Sequence, residues 1–464
     1  MVFETLRLLL PELILVLLGL LLLALDLIGG RQGELRRRLP YVALGGLALA
    51  LVSCLALWGR EASLLSGMVA VDPFSTFFKV VALVAAGLVT LSAVDFLRGR
   101  TPWPGEFYML VVFATLAISL AVSATNLLML YLGLEFLSIT SYVLAGFFRE
   151  ERKSSEAALK YFLYGSVASA VMLYGISLLF GATHSLDMRE IAQVFGSGVD
   201  ASILWVGFPA IVLLLAGFGF KISLVPFHQW APDTYEGAPT PVTAFLATAS
   251  KATGFAVLMR TFLTALPEYQ TDWVAVLAGI SMVSMTLGNL IALKQTNIKR
   301  MLAYSSIAQA GYILIGLASL ALGSGSQFNG LNGVLVYLFA YLFTNLGAFV
   351  AVIAFEARTG SNEIADYAGL AGRAPLLAGT LLIFLLSLTG IPATGGFIGK
   401  LFVFAAAIQV QFYVLAVVAI LNSVVAAFYY LNVVRYMFFT PAAENAPAVG
   451  VPRTAAWALA VTSG

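Results

Sequence analysis

The most constraining feature of this sequence is a succession of apolar segments, each long enough to cross a lipid bilayer. Hydropathy places thirteen of them, at 5–28, 40–58, 75–97, 106–124, 125–147, 156–180, 203–230, 240–265, 273–293, 300–322, 328–356, 376–409 and 412–438. About 20 apolar residues cross the hydrocarbon core as a helix, and only helices or closed barrels satisfy their backbone groups there. The segments therefore predict an all-α polytopic membrane protein.

Composition supports this fold class and narrows the chemistry. The chain is 61% apolar and only 10% charged, which leaves too few polar residues to cover a soluble domain. A last apolar segment, from Thr454 to Gly464, is too short to cross, so we expect about fourteen helices with the last one incomplete. One cysteine, Cys54, excludes internal disulfides and cysteine-ligated clusters. Two histidines are too few for a haem pair or a metal site, and the net charge of +2 suggests no nucleic-acid partner. We therefore expect no cofactor or metal in this chain.

Basic residues set the predicted orientation, because cytoplasmic loops carry an excess of them. The loops of one side hold sixteen: Arg31, Arg36, Arg37, Arg38, Arg98, Arg100, Arg149, Arg152, Lys153, Lys294, Lys299, Arg300, Arg358, Arg373, Arg435 and Arg453. The other side holds five: Arg7, Arg60, Lys79, Arg189 and Arg260. This bias predicts an N-terminus outside and a first loop in the cytoplasm. A short surface helix is expected near 185–194.

Four lysines remain that topology does not explain: Lys160, Lys221, Lys251 and Lys400. A charge at bilayer depth costs about 2.5 kcal/mol or more, so such residues are read as functional. Lys160 lies one turn inside its span, and its amine could instead reach the cytoplasmic surface. Lys251 lies near the middle of 240–265, where that alternative is difficult.

The other two lysines coincide with interrupted helices. Lys221 follows two glycines and precedes a proline, within the stretch 217–226. Lys400 directly follows the Gly- and Pro-rich stretch 389–399. Paired broken helices indicate transporter repeats with a site at mid-membrane. We therefore predict an N-terminal three-helix segment at 1–100, inverted five-helix repeats at 101–268 and 269–440, and a loop and incomplete helix at 441–464.

Other polar residues inside the spans extend this path. Glu135 lies eleven residues into its span and is expected to pair with a lysine; a neutral, hydrogen-bonded carboxyl is the alternative. His228, after the second half of a broken helix, is a candidate proton-uptake group or a solvated cap. Five residues could line water between Lys251 and Lys400, or merely join helices: Ser305, Gln309, Tyr341, Thr344 and Asn345.

With these residues placed, the sequence resembles the antiporter-like subunits of respiratory complex I, most closely subunit N. The matching strings are Tyr131 to Phe147, Phe227 to Phe245, Ser250 to Ala252 and Asn297 to Ile307. The resemblance covers essentially the whole chain. Lys400 favours subunit N, because the sister subunit M looks to have a glutamate there.

The resemblance implies fourteen helices with both ends periplasmic, in a bacterial cell membrane. It also implies that Glu135, Lys160, Lys221, Lys251 and Lys400 match the family's proton-path residues. NADH or another donor, FMN, iron–sulfur clusters and quinone would lie in partner subunits of the membrane and redox arms. The alternatives are a subunit of a multisubunit sodium/proton antiporter or membrane-bound hydrogenase, and a structural scaffold without a proton path.

Our hypothesis for the mechanism starts at Lys221, which loads a proton from the cytoplasm. It passes the proton along water to Lys251, and Lys400 leads it outside. Glu135 favours the charged form of Lys221, directly or through Lys160. The driving energy would arrive from partner subunits.

Overall fold

The structure, a computed structural model, describes residues 2–29, 34–197, 201–320, 329–444 and 449–463. Twelve helices in this part of the chain are long and apolar enough to cross a membrane. Two shorter apolar helices, Pro375–Thr389 and Gly395–Gln409, occupy the predicted segment 376–409. The prediction of a polytopic helical membrane protein is confirmed. Arg31 of the predicted first loop, residues 321–328 at the end of span 300–322 and the terminal Gly464 lie outside the described residues.

The chain divides into two compact units, and the first comprises the residues up to Ile222 together with Ala249–Gln270. A 3-10 turn, Pro267–Tyr269, closes it. Its helices are α1 (Val2–Leu8), α2 (Leu10–Ile28), α3 (Glu34–Leu55), α4 (Pro73–Phe96), α5 (Pro104–Ser123), α6 (Leu127–Ala145), α7 (Arg152–Thr183), α8 (Met188–Gly196), α9 (Ala201–Ile222) and α12 (Lys251–Ala265). The short helix α8 confirms the surface helix expected near 185–194, and the predicted span 5–28 is two helices, α1 and α2.

A short antiparallel hairpin, β1 (Ala62–Leu64) and β2 (Val69–Val71), is the one sheet in the described residues, and the sequence reasoning missed it. Its residues pack into a small apolar cluster with Leu57 and Met129. The backbone nitrogen of Thr125 donates to the Met68 carbonyl, which ties the hairpin to the turn before α6. Three-residue strands lie below the length that an alternating pattern can reveal.

The second unit comprises Ser223–Thr248 and the chain from Thr271 onwards. A π-helical turn, Leu246–Ser250, joins α11 to α12 of the first unit, and a 3-10 turn spans Ile364–Tyr367. The helices are α10 (Trp230–Gly237), α11 (Thr240–Phe245), α13 (Gln270–Ala292), α14 (Ile298–Leu320), α15 (Gly330–Thr359), α16 (Leu370–Arg373), α17 (Pro375–Thr389), α18 (Gly395–Gln409), α19 (Tyr413–Phe439) and α20 (Arg453–Ser463).

Local sequence explains where several helices begin. Asp72 and Ser75 form a reciprocal capping box at the start of α4, and Pro73 follows at the first helical position, which suits proline. Asn126 accepts from Leu128 and Met129 at the start of α6. Thr394 accepts from the backbone of Phe397 and starts α18 after the second break. Side-chain oxygens at these positions satisfy amides that have no partner within the helix.

Both predicted helix breaks occur, with one difference in position. α9 ends at Ile222, where Ser223 takes a left-handed conformation with φ of 62°. Gly217 remains helical, and a β-carbon there would collide with Met172, so this glycine serves close packing. The break expected near 217–226 therefore starts at 223, after both glycines. The second break separates α17 from α18 at Gly390, with φ of 88°.

The division of the chain into two compact units does not show whether the five-helix repeats are related by inversion. The predicted boundary between residues 268 and 269 falls close to the point where the second unit resumes, at Thr271. The division into inverted repeats stays a prediction.

Candidate functional site

Lys221 lies in the last turn of α9 and is 4% exposed. Its amine donates a hydrogen bond of 3.1 Å to the hydroxyl of Ser138 on α6. The end of a helix carries the partial negative charge of its free carbonyls, which stabilises a nearby cation. The break after Ile222 thus gives Lys221 two features that a buried ammonium needs, a helix C-terminus and a polar partner.

Glu135 lies on the same face of α6 as Ser138, three residues earlier. Its carboxylate accepts a hydrogen bond from Ser169 of α7, whose hydroxyl is also 3.3 Å from the Tyr131 hydroxyl. The amine of Lys221 bonds Ser138, so a direct ion pair with Glu135 is not the contact that forms. The two charged groups are instead neighbours along one helix face, with Ser138 between them.

Lys160 is not buried as an amine deep in the membrane would be. It is 37% exposed and pairs with Glu156 of its own helix at 2.8 Å. Exposed pairs of this spacing contribute about 0.3–0.5 kcal/mol. One partner of the Lys160 amine is thus an acid of its own helix, near the protein surface.

Lys251 is 1% exposed and is the first residue of α12, directly after the π-helical turn. Such wide turns are rare and occur frequently at functional sites. Gly254, one turn later, packs against α9: a β-carbon there would collide with Ile222 and lie 3.4 Å from the side chain of Lys221. The first unit therefore places Lys221 and Lys251 on helices that touch at this glycine.

Lys400 occupies the second break and is 4% exposed. Its amine donates to the backbone carbonyls of Thr389 at 2.8 Å and Leu388 at 3.3 Å, at the C-terminal end of α17. It also lies 4.6 Å from the ring centre of Tyr312, in a cation–π contact. A β-carbon on Gly390 would come within 2.9 Å of the Lys400 chain, so this turn needs glycine.

Two of the residues predicted to line water, Ser305 and Gln309, lie on α14 and join this site. Gln309 of α14 donates to the Leu388 carbonyl at 2.9 Å, the same oxygen that Lys400 contacts. Its carbonyl oxygen accepts from Tyr337, and Ser305 bonds the hydroxyl of Tyr430. These buried groups form a continuous polar cluster around the amine.

The other three predicted residues lie on α15. Thr344 bonds Ser387 at 3.0 Å, and Ser387 accepts from the amide of Gly396 across the break. Both side-chain polar atoms of Asn345 are buried without a hydrogen-bond partner among the described residues. Buried polar groups of this kind are typically bonded by ordered water. Tyr341 is buried on the same helix, and His228 lies in the segment that joins α9 to α10.

Lys79, counted among the basic residues of the outer side, lies inside a helix and is buried. It lies in the second turn of α4, is 3% exposed, and pairs with Glu12 of α2 at 2.7 Å. Ser119 of α5 donates to the same carboxylate at 2.6 Å. A span-end position on a hydropathy profile cannot distinguish a residue facing water from one facing a partner helix. Lys79 is therefore a fifth lysine that topology does not explain.

At the start of α4, Asp72 receives two hydrogen bonds from Arg260, at 2.8 and 3.0 Å. Burial alone would raise the pKa of Asp72, but the hydrogen bonds and charge of Arg260 hold that pKa below its ordinary value of 3.8. This pair fixes α12 to the first turn of α4.

Sequence reasoning missed several residues of these sites, although spacing could have found some. Ser138 follows Glu135 by three residues, and Tyr312 follows Gln309 by three, so each shares a helix face with a predicted residue. Asn289, which donates to the Tyr312 hydroxyl at 2.9 Å, has no such signal. No group of three or more His, Cys, Asp or Glu side chains that could hold a metal ion occurs in the described part of the chain.

Comparison with known proteins identifies what this arrangement is similar to. The sequence model of the family described as "NADH:quinone oxidoreductase/Mrp antiporter, TM" matches residues 124–426. NADH-quinone oxidoreductase subunit N of Moorella thermoacetica is 46% identical over 93% of this chain and 88% of the relative. The protein of the same name from Heliobacterium modesticaldum is 45% identical over 95% of this chain and 91% of the relative.

Solved structures agree. A chain of respiratory complex I from Thermus thermophilus, solved with bound aureothin, is 36% identical with a TM-score of 0.80, covering 98% of this chain and 95% of that chain. A chain of the Mrp complex from Dietzia sp. DQ12-45-1b has a TM-score of 0.83 at 22% identity, covering 96% and 82%. At that identity the likeness concerns the fold alone.

Proposed function

Because this chain belongs to the family of NADH-quinone oxidoreductase subunit N, we propose that its buried lysines carry the protons that such a subunit moves. It is an antiporter-like, proton-translocating membrane-arm subunit of complex I, a redox-driven translocase, and its partners are the other membrane-arm subunits. In our proposal NADH or another donor, FMN, iron–sulfur clusters and quinone belong to partner subunits.

The observation that carries the proposal is the pairing of each helix break with a buried amine. Lys221 ends α9, and Lys400 caps the free carbonyls of α17. Burial disfavours the charged form of an amine, whereas a helix C-terminus and accepting oxygens favour it. A charge at this depth costs about 2.5–3.5 kcal/mol, and a partly buried helix end returns up to about 2 kcal/mol. Opposing contributions of similar size allow the amine to gain and lose a proton.

Glu135 supplies the switch in this scheme. At an effective dielectric of about 20, a unit charge about 4 to 8 Å away changes the free energy of an ammonium by about 2 to 4 kcal/mol. Moving a proton against the membrane potential costs about 2.3 kcal/mol per 100 mV. Withdrawing the Glu135 charge from Lys221, by a movement that a partner subunit drives, therefore has the magnitude needed to expel a proton.

We propose the order Lys221, Lys251, Lys400. The first transfer is supported by the contact of α9 and α12 at Gly254. Lys400 follows as the carrier of the second unit and leads to the outside, with Ser305, Gln309, Tyr341, Thr344 and Asn345 as secondary path residues. His228 is a further candidate for proton uptake, and Lys160 modulates Glu135.

The same proposal covers orientation and repeats. The basic loops lie in the cytoplasm of a bacterial cell, and the N-terminus lies outside. Residues 101–268 and 269–440 form inverted repeats, each with one broken helix.

The test uses the assembled complex in inverted membrane vesicles. Lys221→Ala and Lys400→Ala should assemble normally, judged by native gel electrophoresis, while proton pumping and coupled quinone reduction fall. Lys160→Ala serves as a comparison with an exposed lysine of the same chain. Full pumping by Lys221→Ala in an assembled complex would refute the proposal.

The rival function is that of a sodium/proton antiporter subunit. The likeness to the Mrp complex concerns the fold, whereas relatives at 40–46% identity that cover most of this chain carry the names of quinone oxidoreductase subunits. Co-purification decides between the two. Recovery with iron–sulfur subunits that reduce quinone supports complex I, and recovery without any redox subunit supports the antiporter.

A further inference from the structure

A cavity of about 500 Å³ opens in the first unit between the loop that joins α4 to α5 and the loop that joins α6 to α7. Its lining includes three carboxylates and two guanidinium groups, from Glu106, Glu150, Glu151, Arg100 and Arg149. Both loops are rich in basic residues, and the topology proposed above puts them in the cytoplasm. The mouth is therefore polar and faces the side from which protons are taken up.

Arg36 holds the α4–α5 loop in place at the opening of the cavity. Its guanidinium lies 5.5 Å from the ring centre of Trp103, which lines the cavity, and it donates to the carbonyl of Pro102. The same guanidinium pairs with Asp26 of α2 at 3.1 Å. The α4–α5 loop is thus tied to two neighbouring helices, which keeps the cavity open.

Tyr142 of α6 is one of the residues that line the cavity. The Tyr142 ring packs edge-on against Tyr161, with ring centres 4.8 Å apart. Its hydroxyl lies over Gly165 of α7, where a β-carbon would collide with it. Ser138 lies one turn earlier on α6, so the two residues share one face of this helix.

Ser138 accepts the hydrogen bond of Lys221. The partner of the buried amine is therefore the neighbour, on one helix face, of a tyrosine that lines the cavity.

We propose that this cavity is the route by which protons reach Lys221, and that Tyr142 passes them from the cavity to Ser138. The inference rests on the proposed function and adds the uptake route and one relay residue to it. Water in the cavity gives a proton to the Tyr142 oxygen, and the phenol O–H breaks towards Ser138. The Ser138 O–H in turn breaks towards the neutral amine of Lys221, which becomes an ammonium. The net change is one proton moved, without oxidation or reduction.

The first experiment removes one hydroxyl from the relay. Tyr142→Phe keeps the ring and its packing, and Tyr108→Phe is the matched control, a buried tyrosine of α5 that does not line the cavity. We expect Tyr142→Phe to slow proton pumping about tenfold, less than the ~10²-fold typical of proton-transfer groups because water can partly replace the hydroxyl. Its solvent deuterium isotope effect on turnover should rise, which a purely structural defect would not cause.

The second experiment blocks the cavity in the assembled complex. The only native cysteine of this chain, Cys54, is buried, so introduced thiols can be labelled selectively within it. Val143→Cys lines the cavity, and Leu132→Cys is the control, an exposed residue of the same helix that does not. A water-soluble trimethylammonium methanethiosulfonate, added from the cytoplasmic side, should inhibit pumping in the first variant and leave the second unchanged.

Lys221→Ala distinguishes failure of the uptake route from failure of the proposed function. If it stops pumping while Tyr142→Phe and labelled Val143→Cys pump like their controls, the uptake route is wrong and the proposed function stands. If Lys221→Ala itself pumps fully, the proposed function fails and the route with it. Slowed pumping without a raised isotope effect in Tyr142→Phe would also overturn the relay, since it would indicate altered packing.

Discussion

Gly254 lies where the helices of Lys221 and Lys251 touch, so Gly254→Ala should lengthen the proton transfer between these two lysines. The added carbon would collide with the Ile222 side chain. Ordinary carbon–carbon contacts lie at about 3.5–4.0 Å, so α9 and α12 must separate by about 1 Å. A misplacement of that size can cost about 10²-fold in a positioned reaction. We expect proton pumping to fall about tenfold or more.

The cost in stability should be much smaller than the cost in pumping. Overpacking a buried contact costs about 1–3 kcal/mol. Replacing glycine by alanine inside a helix returns about 0.5–1 kcal/mol. The complex should therefore assemble, with an apparent Tm slightly below that of the wild type. The assay is the ratio of proton pumping to quinone reduction in inverted vesicles, with the amount of assembled complex measured by native gel electrophoresis.

A matched control and a rescue make this prediction specific. Gly279→Ala changes a helical glycine of α13 whose added carbon would meet nothing within 4 Å, and it should pump normally. Ile222→Leu removes the branched methyl group that blocks the added carbon, so the double variant with Gly254→Ala should recover pumping. Wild-type pumping by Gly254→Ala, or no recovery in the double variant, would refute the reasoning.

Three further predictions concern charged groups. Lys79→Met should destabilise the first unit by about 3–5 kcal/mol because it leaves the Glu12 charge buried alone, and adding Glu12→Gln should restore much of this; additive losses of apparent Tm in the double variant would contradict the ion pair. Lys160→Ala should reduce pumping far less than Lys221→Ala, and equal losses in the vesicle assay would show that the exposed lysine is as essential as the buried one. Because the pKa of Asp72 lies below 3.8 in the folded state, its stabilisation should be present at neutral pH and lost below about pH 4; Asp72→Asn should remove this acid-dependent loss of Tm, and an unchanged acid profile would contradict the assignment.

The membrane-spanning helices could be predicted because bilayer thickness fixes their length and apolar character. All eleven predicted polar-path residues lie within helices or breaks, since a polar residue in an apolar run is visible without a structure. Lys400 and Gln309, for instance, contact the same carbonyl, that of Leu388. The sequence did not reveal that contact, because a backbone oxygen freed by a helix break carries no residue signature.

Pairings between distant helices were the least predictable feature. Glu12 and Lys79 are buried together on helices far apart in sequence, yet hydropathy places each near a span end. Ser169, the partner of Glu135, is one serine among several in α7. Which face of a helix meets which neighbour depends on packing, and packing is not encoded in a hydropathy profile.

The central claim is that buried lysines at the helix breaks carry the translocated protons. Its most direct test is the number of protons pumped per electron transferred by the complex with Lys221→Ala, reconstituted in sealed vesicles after assembly has been verified. We predict that this ratio, or the rate of coupled quinone reduction, falls about tenfold or more. A wild-type ratio at a wild-type rate would contradict the claim.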